Sequence, residues 1–215
     1  MAYNNNMGIM TNKKPLIGFD SINNLTDQCY EEWLSLISRE KRERVNRFLR
    51  YDDKKLSVLG EKLAREMISG ICGAPPHGIV IKREPGGKPY AENAPGIHFS
   101  VSHSGEYAVC AVSGRPVGID IEKIRPVNLK IIGRICSEEE KKYIFGASGN
   151  TADENLLYKR FFEIWTAKEA FAKRDGKGIS RILQSKNPRM QNLRDIPSNA
   201  EQYIVNVNYV CSYLH

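Results

Sequence analysis

The chain has 215 residues, 41% hydrophobic and 27% charged, the balance of a globular protein that can bury a sizeable core. Its formal charge is +7 and its isoelectric point lies near 9.1, which suits an anionic partner: nucleic acid, a phosphorylated small molecule or an acidic protein surface. No apolar run approaches the roughly 20 residues of a membrane span, and MAYNNNMGIM at the N-terminus lacks the basic region and apolar stretch of a secretory signal.

Taken in order, Pro15–Phe19 predicts an edge strand and Glu31–Ile37 a short helical stretch carrying Trp33, Leu34 and Ile37. A densely charged helix is predicted from Arg39 to about Arg50, with Val45, Phe48 and Leu49 as its apolar stripe. Its charges suit a solvated face, or its basic members one wall of an anion site. Asp53–Ile71 carries Leu56, Leu59, Leu63, Ala64, Met67, Ile68 and Ile71 at helical spacing, and Gly73-Ala74-Pro75-Pro76 stops it.

A strand-rich section follows: Ile79–Lys82, a turn over Glu84–Pro89, then strands over Ile97–Ser102, Tyr107–Val112 and Val117–Glu122. The links 104–106 and 113–116 are short enough for hairpins, which predicts an antiparallel meander. After Pro126 the pattern turns helical. Ser137 with Glu140 forms a capping-box signature opening a helix to about Phe145. A Gly-rich loop over 146–150 precedes a long helix from about Asp153 to Arg174, stopped by Asp175-Gly176-Lys177-Gly178. A weakly patterned polar stretch, Arg181–Glu201, leads to one alternating strand, Tyr203–Val210. The expected fold class is α+β, with a boundary near Ser113–Pro116 dividing residues 1–113 from 114–215. No sequence repeat relates the two halves.

Cys29, Cys72, Cys110, Cys136 and Cys211 are scattered, odd in number and without a C-x-x-C pair. That argues against a disulfide framework or zinc cluster and predicts reduced packing thiols in a cytoplasmic protein.

The chemistry begins in the strand Val117–Glu122. Alternation turns Val117, Ile119 and Ile121 toward a core, and Asp120 and Glu122 together to the other face, about 6–7 Å apart at Cβ. Such a pair is either a solvated acidic edge or a site for a cation. On the long helix, 100° per residue places Tyr158, Phe161, Phe162, Trp165 and Ala172 on one apolar face, with Glu169 inside it and Glu163 opposite. A carboxylate on a packing face is costly unless paired or bound to metal, and Lys173 at i+4 offers an ion pair. Asp120, Glu122 and Glu169 together would suit a hard cation such as Mg²⁺ that shares its shell with phosphates. Candidate phosphate ligands are Lys88 in the Gly-rich turn, His103 in Ser102-His103-Ser104, and Lys173, joined by Lys41 and Arg44. His77 and His98 read as structural or surface. G-x-S-x-G and the P-loop pattern are absent, which argues against a serine hydrolase or a P-loop enzyme.

Gly87-Lys88-Pro89-Tyr90, Phe99-Ser100-Val101-Ser102-His103-Ser104, Gly118-Ile119-Asp120-Ile121-Glu122, Phe162-x-x-Trp165-x-x-Lys168-Glu169-Ala170-x-x-Lys173 and Gly176-Lys177-Gly178 occur in that order, after Ser38-Arg39-Glu40-Lys41-Arg42. Over about residues 38–180 this arrangement resembles the surfactin-type 4′-phosphopantetheinyl transferases. The resemblance implies two similar lobes, each a small, mostly antiparallel sheet packed with helices, and coenzyme A as substrate in the cleft between them. It implies Mg²⁺-dependent transfer of the 4′-phosphopantetheine arm to a serine of an acyl or peptidyl carrier protein, with release of adenosine 3′,5′-bisphosphate. By that resemblance Asp120, Glu122 and Glu169 bind Mg²⁺, His103 contacts the 3′-phosphate and Lys173 the pyrophosphate. Lys41, Arg44, Lys88 and Ser102 hold the nucleotide end. The serine proton passes to Glu169 or to a metal-bound water; both stay open at this level. The chain departs from the family where Lys55 is followed by Leu56 instead of arginine, and it ends at His215, short of the further hairpin of larger relatives.

The alternative on the same fold is a non-catalytic coenzyme A or carrier-protein binding module, against which the three acids speak. A nucleic-acid binder would cluster Lys and Arg with stacking aromatics, whereas here the charges are dispersed. No nucleic acid and no membrane are expected as partners, and two lobes in one chain make a monomer sufficient.

Overall fold

The computed structural model describes residues 14–146, 153–176, 201–206 and 208–214. In chain order the strands are β1 (Leu16–Ser21), β2 (Ile81–Arg83), β3 (Pro89–Ala91), β4 (His98–Ser104), β5 (Tyr107–Ser113), β6 (Gly118–Lys123), β7 (Glu201–Asn206) and β8 (Tyr209–Leu214). The helices are α1 (Asp27–Leu36), α2 (Arg39–Asn46), α3 (Tyr51–Cys72), α4 (Leu129–Ile135), α5 (Glu138–Phe145) and α6 (Glu154–Asp175). Most of the predicted 146–150 loop, Lys177, Gly178 and the polar stretch over 181–200 lie outside the described residues, as does the N-terminal segment 1–13.

The first lobe is the antiparallel sheet β1-β5-β4 covered by α3, with the small β2-β3 hairpin beside it. The helical period of α3 delivers Ala64 and Ile68 to Phe99, Cys110 and Val112, and Leu56, Val58 and Leu59 to the residues of α1 and α2. Gly73 ends α3 in the left-handed conformation at φ +75°, its N–H bonded to the Ser69 carbonyl. The second lobe is the sheet β6-β8-β7, with α6 packed on it and α5 on α6. A third cluster joins the lobes: Val109 and Ala111 of β5 meet Val117, Ile119 and Ile121 together with Tyr209, Cys211 and Tyr213.

The meander breaks after β5. The predicted hairpin at 113–116 does not form, because β1 and β4 already occupy both edges of β5 and leave β6 no edge there. β6 pairs instead with β8, Asp120 opposite Ser212. The single strand predicted over Tyr203–Val210 is a hairpin of β7 and β8. Asn206 and Asn208, which alternate with valine as strand residues would, sit where the chain reverses. The charged helix α2 stops at Asn46, four residues earlier than expected. Leu49 is 100% exposed and Phe48 39%, so Val45 alone carries the predicted stripe into the core. Helix α1 begins earlier than predicted because Thr26 caps it, accepting from Cys29 N–H.

Helix α6 is buried on more than the predicted apolar face. Ile164, Thr166, Ala167 and Lys168 are all buried. Glu163, expected in solvent, is half-buried and accepts a hydrogen bond from the Tyr143 hydroxyl at 2.6 Å. Lys168 Nζ donates to Glu140 Oε2 and to the Ile135 carbonyl, both at 2.6 Å, and Glu140 also closes the capping box of α5. One ion pair thus fixes α5 and the end of α4 to α6. Removing one member of such a pair strands a buried charge and costs about 3–5 kcal/mol. Lys168→Ala is expected to lower Tm by about 10 °C in a thermal melt, with part regained when Glu140→Gln is added.

Gly118 decides how closely the second lobe can pack. A Cβ there would stand 1.9 Å from the Ala170 carbonyl oxygen and 2.6 Å from the Arg174 amide nitrogen. Only glycine lets β6 and α6 touch at this point, and that contact brings Glu169 of α6 toward Asp120 of β6.

Candidate active site

The edge of the first sheet runs alongside the edge of the second. β4 and β6 exchange no ladder hydrogen bonds; serine side chains of β4 join them. Ser100 Oγ accepts from Ile119 N–H at 3.2 Å, and Ser102 Oγ donates to Asp120 Oδ1 at 2.7 Å. Ser104 Oγ accepts from Lys123 N–H at 3.1 Å and donates to Glu122 Oε2 at 2.9 Å.

Asp120 is 5% exposed. Lys173 Nζ of α6 reaches it within the same lobe, 2.7 Å from Asp120 Oδ1, and crosses the seam to Ser102 Oγ at 2.8 Å. The i,i+4 pairing of Lys173 with Glu169 expected along the helix is replaced by this ion pair to β6 within the second lobe, with the Ser102 hydroxyl of the first lobe as a further partner. Burial raises the Asp120 pKa, with Lys173 working against the shift. Its other oxygen, Oδ2, is buried without a hydrogen-bond partner among the described residues. Glu122 Oε2 also accepts from Arg125 Nη1 at 2.9 Å, and the guanidinium lies 5.0 Å from the Phe162 ring centroid. Burial, then the charge of Asp120, pushes Glu169 up to about 7 against the opposing pull of Lys173, with Glu122 adding to the rise. These acids line one cavity of about 300 Å³ together with Ser102, His103, Trp165 and Lys173. Among the described residues, no three His, Cys, Asp or Glu side chains are gathered as a ready-made metal cluster.

Val101, His103, Glu169 and Lys173 also line a neighbouring cavity of about 310 Å³, walled by Lys41, Ser57, Glu61, Arg83, Lys88 and Gly176. This cavity takes walls from both lobes. Lys88 crosses it, donating from the turn before β3 to the Arg174 carbonyl at the end of α6; desolvation holds its pKa below the ordinary lysine value. Through Lys41, Glu61 and Arg83 the cavity meets a third space, about 570 Å³, that adds Ser38, Arg44 and Glu84. Desolvation, with Arg83 and Arg44 nearby, lowers the Lys41 pKa to about 8 although Glu61 counteracts it. Arg44 Nε is buried without a partner among the described residues. His103 stands on the rim, its pKa lowered by desolvation and then by Lys173 and Lys41. The three cavities therefore lead from a carboxylate-rich end into a basic centre and on to an outer space where Lys41, Arg44, Lys82 and Arg83 stand among Glu40, Glu61 and Glu84.

Of the residues singled out in the sequence, Asp120, Glu122, Glu169, His103 and Lys173 meet at the acidic end, and Lys41 and Lys88 line the central cavity. Arg44 belongs to the outer space of mixed charge. Ser102 is buried, with its hydroxyl taken up by Asp120 and Lys173, and is not in the wall of the central cavity. Arg83, Arg125 and the buried pair Glu61–Arg65, 2.7 Å apart, are absent from the expected set, and Ser104 enters it only as part of the Phe99–Ser104 motif. The i,i+4 spacing of Glu61 and Arg65 was the available signal for that pair.

A cleft between two α+β lobes, with a basic central cavity opening onto a carboxylate-rich end, suits a phosphorylated ligand. Comparison with known families agrees. The 4′-phosphopantetheinyl transferase, N-terminal family matches residues 24–115, and the 4′-phosphopantetheinyl transferase superfamily matches residues 116–210. The chain is 36% identical over 166 residues to 4′-phosphopantetheinyl transferase Sfp of Bacillus subtilis (strain 168), covering 77% of this chain and 72% of that protein. A second 4′-phosphopantetheinyl transferase of Bacillus subtilis is 35% identical over 161 residues, 75% and 70% of the two chains. The transferase psf-1 of Bacillus pumilus is 39% identical over 160 residues, 74% and 66% of the two chains. The chain belongs to the 4′-phosphopantetheinyl transferase family.

Proposed function

We propose that the protein transfers the 4′-phosphopantetheine arm of coenzyme A to a serine of an apo acyl or peptidyl carrier protein, releasing adenosine 3′,5′-bisphosphate, in a Mg²⁺-dependent reaction. The observation that carries this reading is the junction of the basic cavity with a buried carboxylate, Asp120, whose Oδ2 has no partner among the described residues, beside Glu169 and Glu122. An oxygen-only donor set in which one buried oxygen has no partner among the described residues, and in which Asp120 and Glu122 raise the pKa of Glu169, fits a hard divalent cation. Asp120, Glu122 and Glu169 would hold it. When bound, Mg²⁺ supplies charge neutralisation on the pyrophosphate oxygens.

The residues supply the remainder. Lys41, Arg44, Lys88 and His103 bind the nucleotide end, and Lys173, moved off Asp120, neutralises the pyrophosphate. Ser102 acts on that end indirectly, by holding Asp120 and Lys173. The carrier serine oxygen bonds to the pantetheine-bearing phosphorus as the bridging bond to the adenosine-bearing phosphate breaks. The serine proton passes to Glu169, the carboxylate that lines both the acidic and the central cavity. Catalysis of this kind rests on positioning and charge neutralisation. The lobes divide at Ser113–Pro116, the protein acts as a cytoplasmic monomer, and the net charge of +7 favours an acidic carrier surface. No helix among the described residues is long and apolar enough to cross a membrane.

The test is to mix the protein with coenzyme A, Mg²⁺ and apo carrier proteins of several classes and look by mass spectrometry for one added phosphopantetheine arm. Transfer is expected, lost with EDTA and restored by Mg²⁺. Binding of coenzyme A with no carrier modified would sink the transferase reading. A second expectation concerns Lys41, which loses its charge as pH rises through about 8. Coenzyme A affinity by calorimetry should fall about tenfold between pH 7 and pH 9, and Lys41→Arg, charged throughout, should flatten that dependence.

A further inference from the structure

The serines of β4 hold both acids of β6 in the same manner. Each acid is gripped on one oxygen only. Asp120 Oδ1 takes the Ser102 hydroxyl at 2.7 Å and Lys173, while Oδ2 is left buried and unpartnered among the described residues. Glu122 Oε2 takes the Ser104 hydroxyl at 2.9 Å and Arg125, and among the described residues no hydrogen bond falls on Oε1. Ser100 and Ser104 also accept the backbone N–H groups of Ile119 and Lys123 at 3.2 and 3.1 Å, at either end of the acidic segment. Residues 100, 102 and 104 share one face of β4 by strand alternation, so the three hydroxyls form a ladder that substitutes for the missing backbone pairing between the sheets. A one-residue slip between edge strands would turn every side chain to the wrong face. Here the hydroxyls set that register.

We infer that Ser104 is a positioning residue for the cation site: bonded at once to the Lys123 amide and the Glu122 carboxylate, it fixes the β4–β6 register and aims the free Glu122 oxygen at the position shared with Asp120 and Glu169. Ser104 touches neither substrate nor the reacting phosphorus. Its place is behind the ligand, as with the hydrogen-bonded partners that orient carboxylates in metal sites. Arg125 alone does not supply this function, because its anchor is the adjacent Lys123 carbonyl and it does not tie β6 to β4. The inference rests on the reading of Asp120, Glu122 and Glu169 as cation ligands.

The test titrates Mn²⁺, followed by its EPR signal, into the full chain with coenzyme A bound, for wild type, Ser104→Ala, Ser104→Thr and Asp120→Ala, each checked for folding by circular dichroism. Ser104→Ala is expected to weaken Mn²⁺ binding about 10–100-fold and to lower kcat with the KM for the carrier protein unchanged. Ser104→Thr, which keeps the hydroxyl, is expected to bind Mn²⁺ within about threefold of wild type. Asp120→Ala is expected to abolish tight binding. If Asp120→Ala loses Mn²⁺ while Ser104→Ala retains it, the positioning role is overturned and the acid site stands. A Ser104→Thr variant as weak as Ser104→Ala also overturns it, since the hydroxyl would then not be the cause. If Asp120→Ala binds Mn²⁺ like wild type, the acid site itself falls and the positioning role falls with it.

Discussion

Asp120→Ala is expected to reduce carrier modification by at least about 10²–10³-fold, the several kcal/mol that charge neutralisation at a transferring phosphoryl group supplies. Coenzyme A binding should weaken by less than about tenfold. The asymmetry follows from the layout. Asp120 lines the acidic cavity with Glu122 and Glu169, while Lys41, Lys88 and His103 line the central one. Removing Asp120 does not strand a buried charge, because the Lys173 side chain is 30% exposed and regains water. It also removes a carboxylate whose burial is unfavourable. The fold should therefore survive, and kcat from mass-spectrometric time courses can be set against the dissociation constant from calorimetry. Equal losses in both would mean that Asp120 shapes the cleft as a whole and has no special part in the transfer step.

The legible part of this site was the part written in local periodicity. Strand alternation put Asp120 and Glu122 on one face, and helical periodicity put Glu169 among apolar residues; the structure has both. What periodicity does not encode is which strand edges meet. The short link after Ser113 reads as a hairpin, yet β5 has no free edge, and that fact depends on β1, almost a hundred residues earlier. The seam between β4 and β6 follows from the same topology. With it come the functions of Ser100, Ser102 and Ser104, small polar residues at the end of a legible strand whose partner across the seam local pattern does not name. Lys173 shows the limit in another way. At i+4 from Glu169 it has a local partner by rule, and a partner on the neighbouring strand β6 wins because Asp120 is the more deeply buried charge. Lys168 and Glu140, far apart in sequence, pair only once α5 packs on α6. The family motifs conveyed what periodicity did not, since a Trp165-x-x-Lys168-Glu169 run names its residues together.

Glu169→Gln should separate stability from activity in a single variant. Glu169 makes no hydrogen bond or ion pair among the described residues, and burial together with Asp120 lifts its pKa from 4.5 to about 7. For an acid whose folded pKa exceeds its unfolded one, the folded state holds the extra proton between the two values. Stability therefore falls as pH rises from about 4.5 to about 7, and the loss persists above that range. Glutamine keeps the shape and removes the charge, so at pH 8 without divalent cations Tm should rise, by about 2–4 °C for each kcal/mol recovered. At pH 4.5 the two proteins should melt together. Transfer should move the other way and fall by about 10²–10³-fold, the size of a lost proton acceptor or charge ligand. Mg²⁺ with coenzyme A should raise the Tm of wild type through binding to the folded state and should do so far less in the variant. A destabilised Glu169→Gln would show that the carboxylate is structural, and an active one would remove it from the reaction. The stability gained by neutralising Glu169 is then a measure of what the fold gives up to keep three carboxylates together.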